Sequence, residues 1–190
     1  MPKSTPKIKV DSVIRLGDGM VTVHNDKAED YDEAKKLCEE YAEEHGLSIV
    51  PAFDDPYVIA GQGTIGIEIL HKIPEPDAVF VQIGGGGLAA GISEYIKGKD
   101  NPPNTKVIGV EGKGQDAMNQ NIKSEDDIVF EINSVDPFAD GTAVKKPGER
   151  TYKICKARLD SDIVLVSNDE ICAAIKDIYD GTSTPCSLRP

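Results

Sequence analysis

The sequence predicts an α/β fold built on a mostly parallel sheet. Three observations carry that prediction. AVFVQI (78–83), VIGV (107–110) and IVLV (163–166) are near-continuous apolar runs rich in Val and Ile, the pattern of strands in a parallel sheet covered on both faces. Stretches with apolar residues at helical spacing separate them, and such alternation means parallel strands joined by covering helices. At 190 residues the chain is long enough for one or two such domains with a sizeable core.

Taken in order, MPKSTPKIKV reads as solvated helix or loop charges, and VIRLGDGMVTVHN as a turn at Gly17–Gly19 followed by a short strand from Met20 to His24. Asp30 followed by Glu33 has the form of a capping box. Tyr31, Ala34, Leu37, Cys38, Tyr41 and Ala42 then recur at helical spacing up to Gly46, a natural helix stop. LSIV, from Leu47, is predicted as a short buried strand closed by Pro51. VIAGQGTIGIEILH (58–71) reads as a helix despite Gly61, Gly63 and Gly66, each of which costs about 1 kcal/mol against Ala. Three such losses predict a helix backbone packed against a close neighbour, where only a missing Cβ fits. Pro74 and Pro76 in IPEPD then break the chain, so the expected halves are residues 1–73 and 74–190. The strand Ala78–Ile83 is followed by a helix Leu88–Ile96, the strand Val107–Val110 and a helix Asp116–Ile122. A polar stretch through Pro137 and Gly148 leads to a helix Thr151–Leu159 and the strand Ile163–Val166. Ser167 with Glu170 caps a last helix carrying Ile171, Cys172, Ile175, Ile178 and Tyr179. No repeat and no low-complexity tract interrupts this order.

A net charge of −12 gives a surface that repels phosphate backbones, which speaks against nucleic-acid and anionic-membrane partners. No apolar run approaches the roughly 18 residues of a membrane span. The N-terminus shows neither a secretory signal nor a transit peptide, so an intracellular, cytoplasmic setting is the default expectation. Cys38, Cys155, Cys172 and Cys186 form no CxxC pair and have no His at ligand spacing, which argues against zinc and against a disulfide framework. His24, His45 and His71 are scattered and read as surface or core positions.

The chemistry concentrates in GGGGLAAG (84–91), placed directly after a strand and opening a helix. Glycines leave their backbone N–H groups unobstructed, and a helix start adds unpaired donors and the positive end of its dipole, together a cradle for a phosphate. Gly84, Gly86 and Ala89 also satisfy G-x-G-x-x-A, with Glu111 ending the next strand, so the dinucleotide-binding half of a NAD-dependent dehydrogenase stays open. The Lys-Ser/Thr pair of a nucleoside-triphosphate loop is absent, since Leu88 and Ala89 follow the glycines.

MPKSTPKIKV, VPAFDDPYVIAGQGTIGIEIL, VFVQIGGGGLAAGI, KVIGVEG, FADGTAVKKPGERTY and VSNDEICAAIKDIYD together resemble the threonine dehydratase (threonine ammonia-lyase) family. The resemblance runs from residue 1 to about Thr182, with the six blocks in family order. It implies a pyridoxal 5'-phosphate enzyme of the tryptophan-synthase-β-like fold (fold type II), alongside serine racemase and the serine dehydratases. By that likeness residues 1–73 are part of a smaller α/β domain and 74–190 part of a larger one that binds the cofactor phosphate, both three-layered and both partial. The family's tetraglycine loop carries over to Gly84, Gly85, Gly86 and Gly87, with Leu88 supplying the last amide, and its A-D-G glycine beside the pyridine ring to Gly141. Asp140 faces the same cleft or serves the turn. The implied substrate is L-threonine or L-serine, and the implied full-length enzyme a homo-oligomer.

The departures from the family pattern shape the expectation for this chain. The Schiff-base lysine and the loop gripping the substrate carboxylate belong to a family segment expected before Met1, and none of the chain's lysines sits in a matching block. After Thr182 the family continues into Glu-Pro-x-Gly-Ala, whereas this sequence reads STPCSLRP. The expectation is therefore the middle portion of the enzyme, inactive as an isolated chain, with a non-enzymatic dimer-partner module as the alternative. An organellar location is open if a transit peptide was lost upstream. Relatives like serine racemase bind a divalent cation at positions matching Glu111, Gln115 and Ala117; with no second carboxylate there, and Asp116 one residue out of register, no metal is expected.

Overall fold

The computed structural model describes residues 1–3, 5–25, 27–29, 31–98, 101 and 104–182. It packs as two compact units, Met1–Val50 and Pro51–Pro190. The expected cap at Asp30, Cys186 and the tail from Ser183 lie outside the described residues.

The first unit consists of α1 (Lys7–Gly17) and α2 (Tyr31–His45). The charged N-terminal segment thus contributes a regular helix, whose Val10 is buried while Ile8, Ile14 and Leu16 stay exposed. It ends where Asp18 and Gly19 take positive φ, in the turn the sequence marks. The strand expected at Met20–His24 is irregular chain, and Met20 is 89% exposed. A strand needs a ladder partner, and none faces this segment among the described residues. Instead, a β-bridge joins Pro2 to Ala28. In α2 the Glu33 side chain reaches back to the Glu29 amide at 2.7 Å, and Gly46, φ 63°, stops the helix. The strand expected at Leu47–Val50 is also absent: these residues are exposed irregular chain for the same lack of a partner.

In the second unit Asp55 caps α3 (Pro56–Lys72), accepting from the Tyr57 and Val58 amides at 2.8 and 3.2 Å. Then follow β1 (Ala78–Gln82), α4 (Gly87–Ile96), β2 (Lys106–Gly112), α5 (Ala117–Lys123), a 3-10 turn at Asp140–Thr142, α6 (Glu149–Arg158), β3 (Val164–Val166) and α7 (Asn168–Thr182). The strands form one parallel sheet in the order β1-β2-β3, with Val79 opposite Val107 and Val110 opposite Val164. The Ser167–Glu170 box at the start of α7 forms as read, with Glu170 Oε2 accepting from both the Ser167 amide and hydroxyl at 2.7 Å.

α3 packs along α4, so the turn at Pro74–Pro76, expected to divide the chain at 73/74, lies inside the second unit. The contact depends on missing side chains. A Cβ on Gly91 would overlap the Ile59 carbonyl, and one on Gly63 would stand 3.1 Å from the Gly91 carbonyl. Gly66 meets the Tyr95 ring in the same way, whereas Gly61 faces open space and takes no part.

One face of the sheet carries the core: Val81 and Ile83 from β1 and its end, Val107 from β2, Ala89, Ala90, Ile92 and Ile96 from α4, and Tyr152 and Cys155 from α6. The opposite face departs from the expectation of two covered faces. Phe80 is 63% and Val164 41% exposed there, and Ile108 and Val110 beside them are half-buried. Among the described residues the strands therefore have a full helical cover on one side only.

Candidate functional site

The glycine loop leaves β1 where the Ile83 amide still donates to Val110 O at 2.8 Å, the last sheet bond before the chain turns. Gly86 makes the turn with φ 94°, a left-handed conformation that glycine adopts without strain, and becomes the N-cap of α4. Gly85, Gly86 and Gly87 are buried; Gly84 and Leu88 are half-exposed.

The loop has no room for side chains. A Cβ on Gly85 would overlap the Phe53 ring, one on Gly87 would come within 2.9 Å of Phe53 Cβ, and one on Gly86 within 2.6 Å of Met118 Cε. On the other side Gly84 packs against Thr142, whose Cα lies 3.2 Å from the place a Cβ would take. The carbonyls are occupied: Gly85 O accepts from Thr151 Oγ1 at 2.6 Å, and Gly86 O accepts from the Ala90 amide at 2.8 Å. The amides are not. Among the described residues none of the N–H groups from Gly84 to Ala89 has an acceptor in the protein. Buried backbone donors are nearly always satisfied, so a run of unsatisfied amides at a helix start calls for an external anion. The glycines let the loop pack closely on Phe53, Met118 and Thr151, and the amides left without acceptors fit the phosphate group of pyridoxal 5'-phosphate.

The structure brings Gly141 close to this loop through its neighbour. Asp140, Gly141 and Thr142 form the 3-10 turn, with Thr142 against Gly84 and Gly141 facing open space. Asp140 opens the turn, its carbonyl accepting from the Ala143 amide at 3.3 Å. Gln115, only 2% exposed, fastens the turn to the end of β2: its Nε2 donates to the Asp136 and Ala139 carbonyls, and its Oε1 accepts from Thr142 Oγ1 at 3.0 Å.

Glu111 does not serve as a ribose partner. Its two carboxylate oxygens accept the Met118 and Asn119 amides at 3.0 and 2.8 Å, which ties the start of α5 to β2, and its side chain is 2% exposed. Burial pushes its carboxyl up to about 7; the Asn119 and Met118 amides oppose the rise and Asp116 adds to it. Burial likewise pushes the neighbouring Cys155 thiol up to about 12, with Glu111 adding to it, so this cysteine is an inert core thiol. Gln115 is engaged as above and Ala117 is fully buried. Among the described residues no three His, Cys, Asp or Glu side chains converge as a metal would require.

Sequence reasoning missed the residues that support the loop. Phe53 lies under Gly85 and Gly87, and Thr151 joins α6 to Gly85. Asp54 Oδ1 accepts the Arg150 and Thr151 amides at 3.0 and 3.1 Å, so it caps α6 in place of Gly148, which has no side chain. Asp54 stands beside Asp55, the cap of α3, and neither was read as a cap from the sequence. A separate, mainly apolar groove between α3, α4 and α6, bordered by Ile59, Ile67, Tyr95 and Ile154, is not lined by the tetraglycine residues.

A family model described as pyridoxal-phosphate dependent enzyme matches residues 1–185. The mitochondrial threonine dehydratase of Schizosaccharomyces pombe is 48% identical over 181 residues, covering 94% of this chain and 29% of its own length. The threonine dehydratase of Nicotiana attenuata is 47% identical over 180 residues, 95% of this chain and 28% of its own. The solved structure of the processed form of threonine deaminase isoform 2 from Solanum lycopersicum matches with a TM-score of 0.88 at 43% identity, over 99% of this chain and 52% of that one. The chain thus spans less than a third of the length of these curated relatives.

Proposed function

The chain belongs to the pyridoxal-phosphate-dependent enzyme family, and we propose that it is the cofactor-phosphate-holding portion of an L-threonine ammonia-lyase, which converts L-threonine to 2-oxobutanoate and ammonia. The observation that carries the reading is the run of acceptor-free amides from Gly84 to Ala89 at the start of α4. When bound, the cofactor supplies an electron sink for the pair left as the amino acid loses its α-proton.

In this account the Gly84, Gly85, Gly86, Gly87 and Leu88 amides bind the phosphate, and the dipole of α4 adds roughly 0.3 to 2 kcal/mol for an anion. Because those donors are neutral backbone groups held by packing, the site needs no cationic side chain. Gly141, where a side chain would meet only open space, would leave room for the cofactor ring beside the Asp140–Thr142 turn. Support for L-threonine over L-serine comes from the names of the relatives. The reading assigns the chain no elimination of its own, because none of its lysines stands in a block resembling the family's Schiff-base motif.

A chimera tests the reading. Residues 1–182 replace the matching segment of the Schizosaccharomyces pombe threonine dehydratase, and 2-oxobutanoate release is assayed. The expected chimera acts on L-threonine and loses cofactor and activity together on Gly86→Ala. A chimera that folds and binds the cofactor yet leaves L-threonine unchanged contradicts the proposal.

A further inference from the structure

Resting on the phosphate reading above, we infer that Thr151 is a positioning residue for the cradle, aimed by Asp54, and that it sets the direction of the Gly86 N–H. Asp54 Oδ1 accepts the Arg150 and Thr151 amides and so fixes the first turn of α6. A Cβ on Gly148 would overlap the Asp54 carboxylate, so the carboxylate seats directly on the backbone it caps. The buried Thr151 hydroxyl is thereby held against the loop, where its Oγ1 lies 2.6 Å from Gly85 O and 3.2 Å from Gly148 O. The Gly148 amide donates to the same Gly85 carbonyl at 3.3 Å.

The consequence follows from peptide geometry. The described chain contains no cis peptide bond. In a planar trans peptide, the carbonyl of one residue and the N–H of the next point in opposite directions. Two donors from the α6 side hold the Gly85 carbonyl inward, so the Gly86 N–H is turned outward, away from α6. Without the Thr151 hydroxyl the Gly85 carbonyl keeps only the longer bond from the Gly148 amide, and Gly86, with its positive φ and no side chain, offers little resistance to rotation of that peptide. Thr151 thus touches no ligand; it acts by denying the loop that rotation.

The test uses the full 190-residue chain, with inorganic phosphate and pyridoxal 5'-phosphate as probes, read by amide NMR shifts and equilibrium dialysis. In the native chain, phosphate is expected to shift the Gly86 amide together with Gly87 and Leu88. If Gly87 and Leu88 respond and Gly86 does not, the positioning role is overturned while the cradle stands; if none responds, both fall. Thr151→Val, which keeps the shape and removes the hydroxyl, is expected to weaken both probes about tenfold, or ~1.4 kcal/mol. Thr151→Ser is expected to restore binding to within about twofold of native on the same scale. A folded Thr151→Val chain that binds phosphate as tightly as the native one overturns the inference, as does a folded Thr151→Ser chain that binds as weakly as Thr151→Val. Should Thr151→Val not fold, the native-chain shift and the Thr151→Ser comparison decide the matter.

Discussion

Glu111 joins β2 to the start of α5 through the Met118 and Asn119 amides, and Met118 in turn supports Gly86, so a buried carboxyl sits one step behind the glycine loop. Its folded value of about 7, against an ordinary 4.5, means that the folded chain keeps a proton that the unfolded chain releases over that interval. Stability from this group is therefore full below 4.5 and is lost as the pH rises through 7, by about 3 kcal/mol in all. Asp127, held below its ordinary value by Lys156, and Glu170, held down by the Ser167 amide and hydroxyl, act only in more acid solution. Urea unfolding is expected to give a higher stability at pH 4.5 than at pH 7, and Glu111→Gln to flatten that difference; an undiminished slope in the variant contradicts the assignment. The sequence showed Glu111 at the end of a strand, where a ribose partner was an open reading. What it could not show was that the helix after the next turn would point its amides back at the carboxylate. Gly84 to Leu88 were legible because a strand, four glycines and a helix start are contiguous. Asp54 and Thr151 were not, because their contact joins residues 97 apart.

Among the elements, the seam between α3 and α4 shows how much a glycine's neighbour matters. Gly61, Gly63 and Gly66 are alike in the sequence, and all three were read as close-packed. Only Gly63 and Gly66 meet α4; Gly61 lies on the exposed side of the helix. Gly61→Ala is expected to raise stability by roughly 0.5 to 1 kcal/mol through helix propensity alone. Gly91→Ala, whose Cβ would overlap the Ile59 carbonyl, is expected to cost about 1 to 3 kcal/mol as the helices are forced apart. Thermal unfolding of the two variants checks both signs; equal effects would mean that the seam is not as tight as described. The helices and the three strands of the second unit were legible because period and caps are local signals, as in the Ser167–Glu170 box. The strands expected at Met20–His24 and Leu47–Val50 failed for the opposite reason. An apolar run becomes a strand only beside a partner, and partners are set by tertiary contacts that a single run does not encode.

Across the whole molecule, the charge of −12 does not conflict with the proposed anion site, because that site would be built from neutral amides inside a packed turn. Among the described residues no helix is long and apolar enough to cross a membrane. The fold class was legible from the alternation of strands and helices, but the uncovered face with Phe80 and Val164 was not, since the sequence pattern of those strands is that of strands buried on both sides. The account rests on the glycine loop holding a phosphate, and one comparison tests that directly: the affinity of the chain for pyridoxal 5'-phosphate against that for pyridoxal, which lacks only the phosphate. The expected result is at least about a tenfold preference for the phosphorylated form, a difference of ~1.4 kcal/mol or more, abolished by Gly86→Ala. Equal affinity for the two compounds would contradict the account.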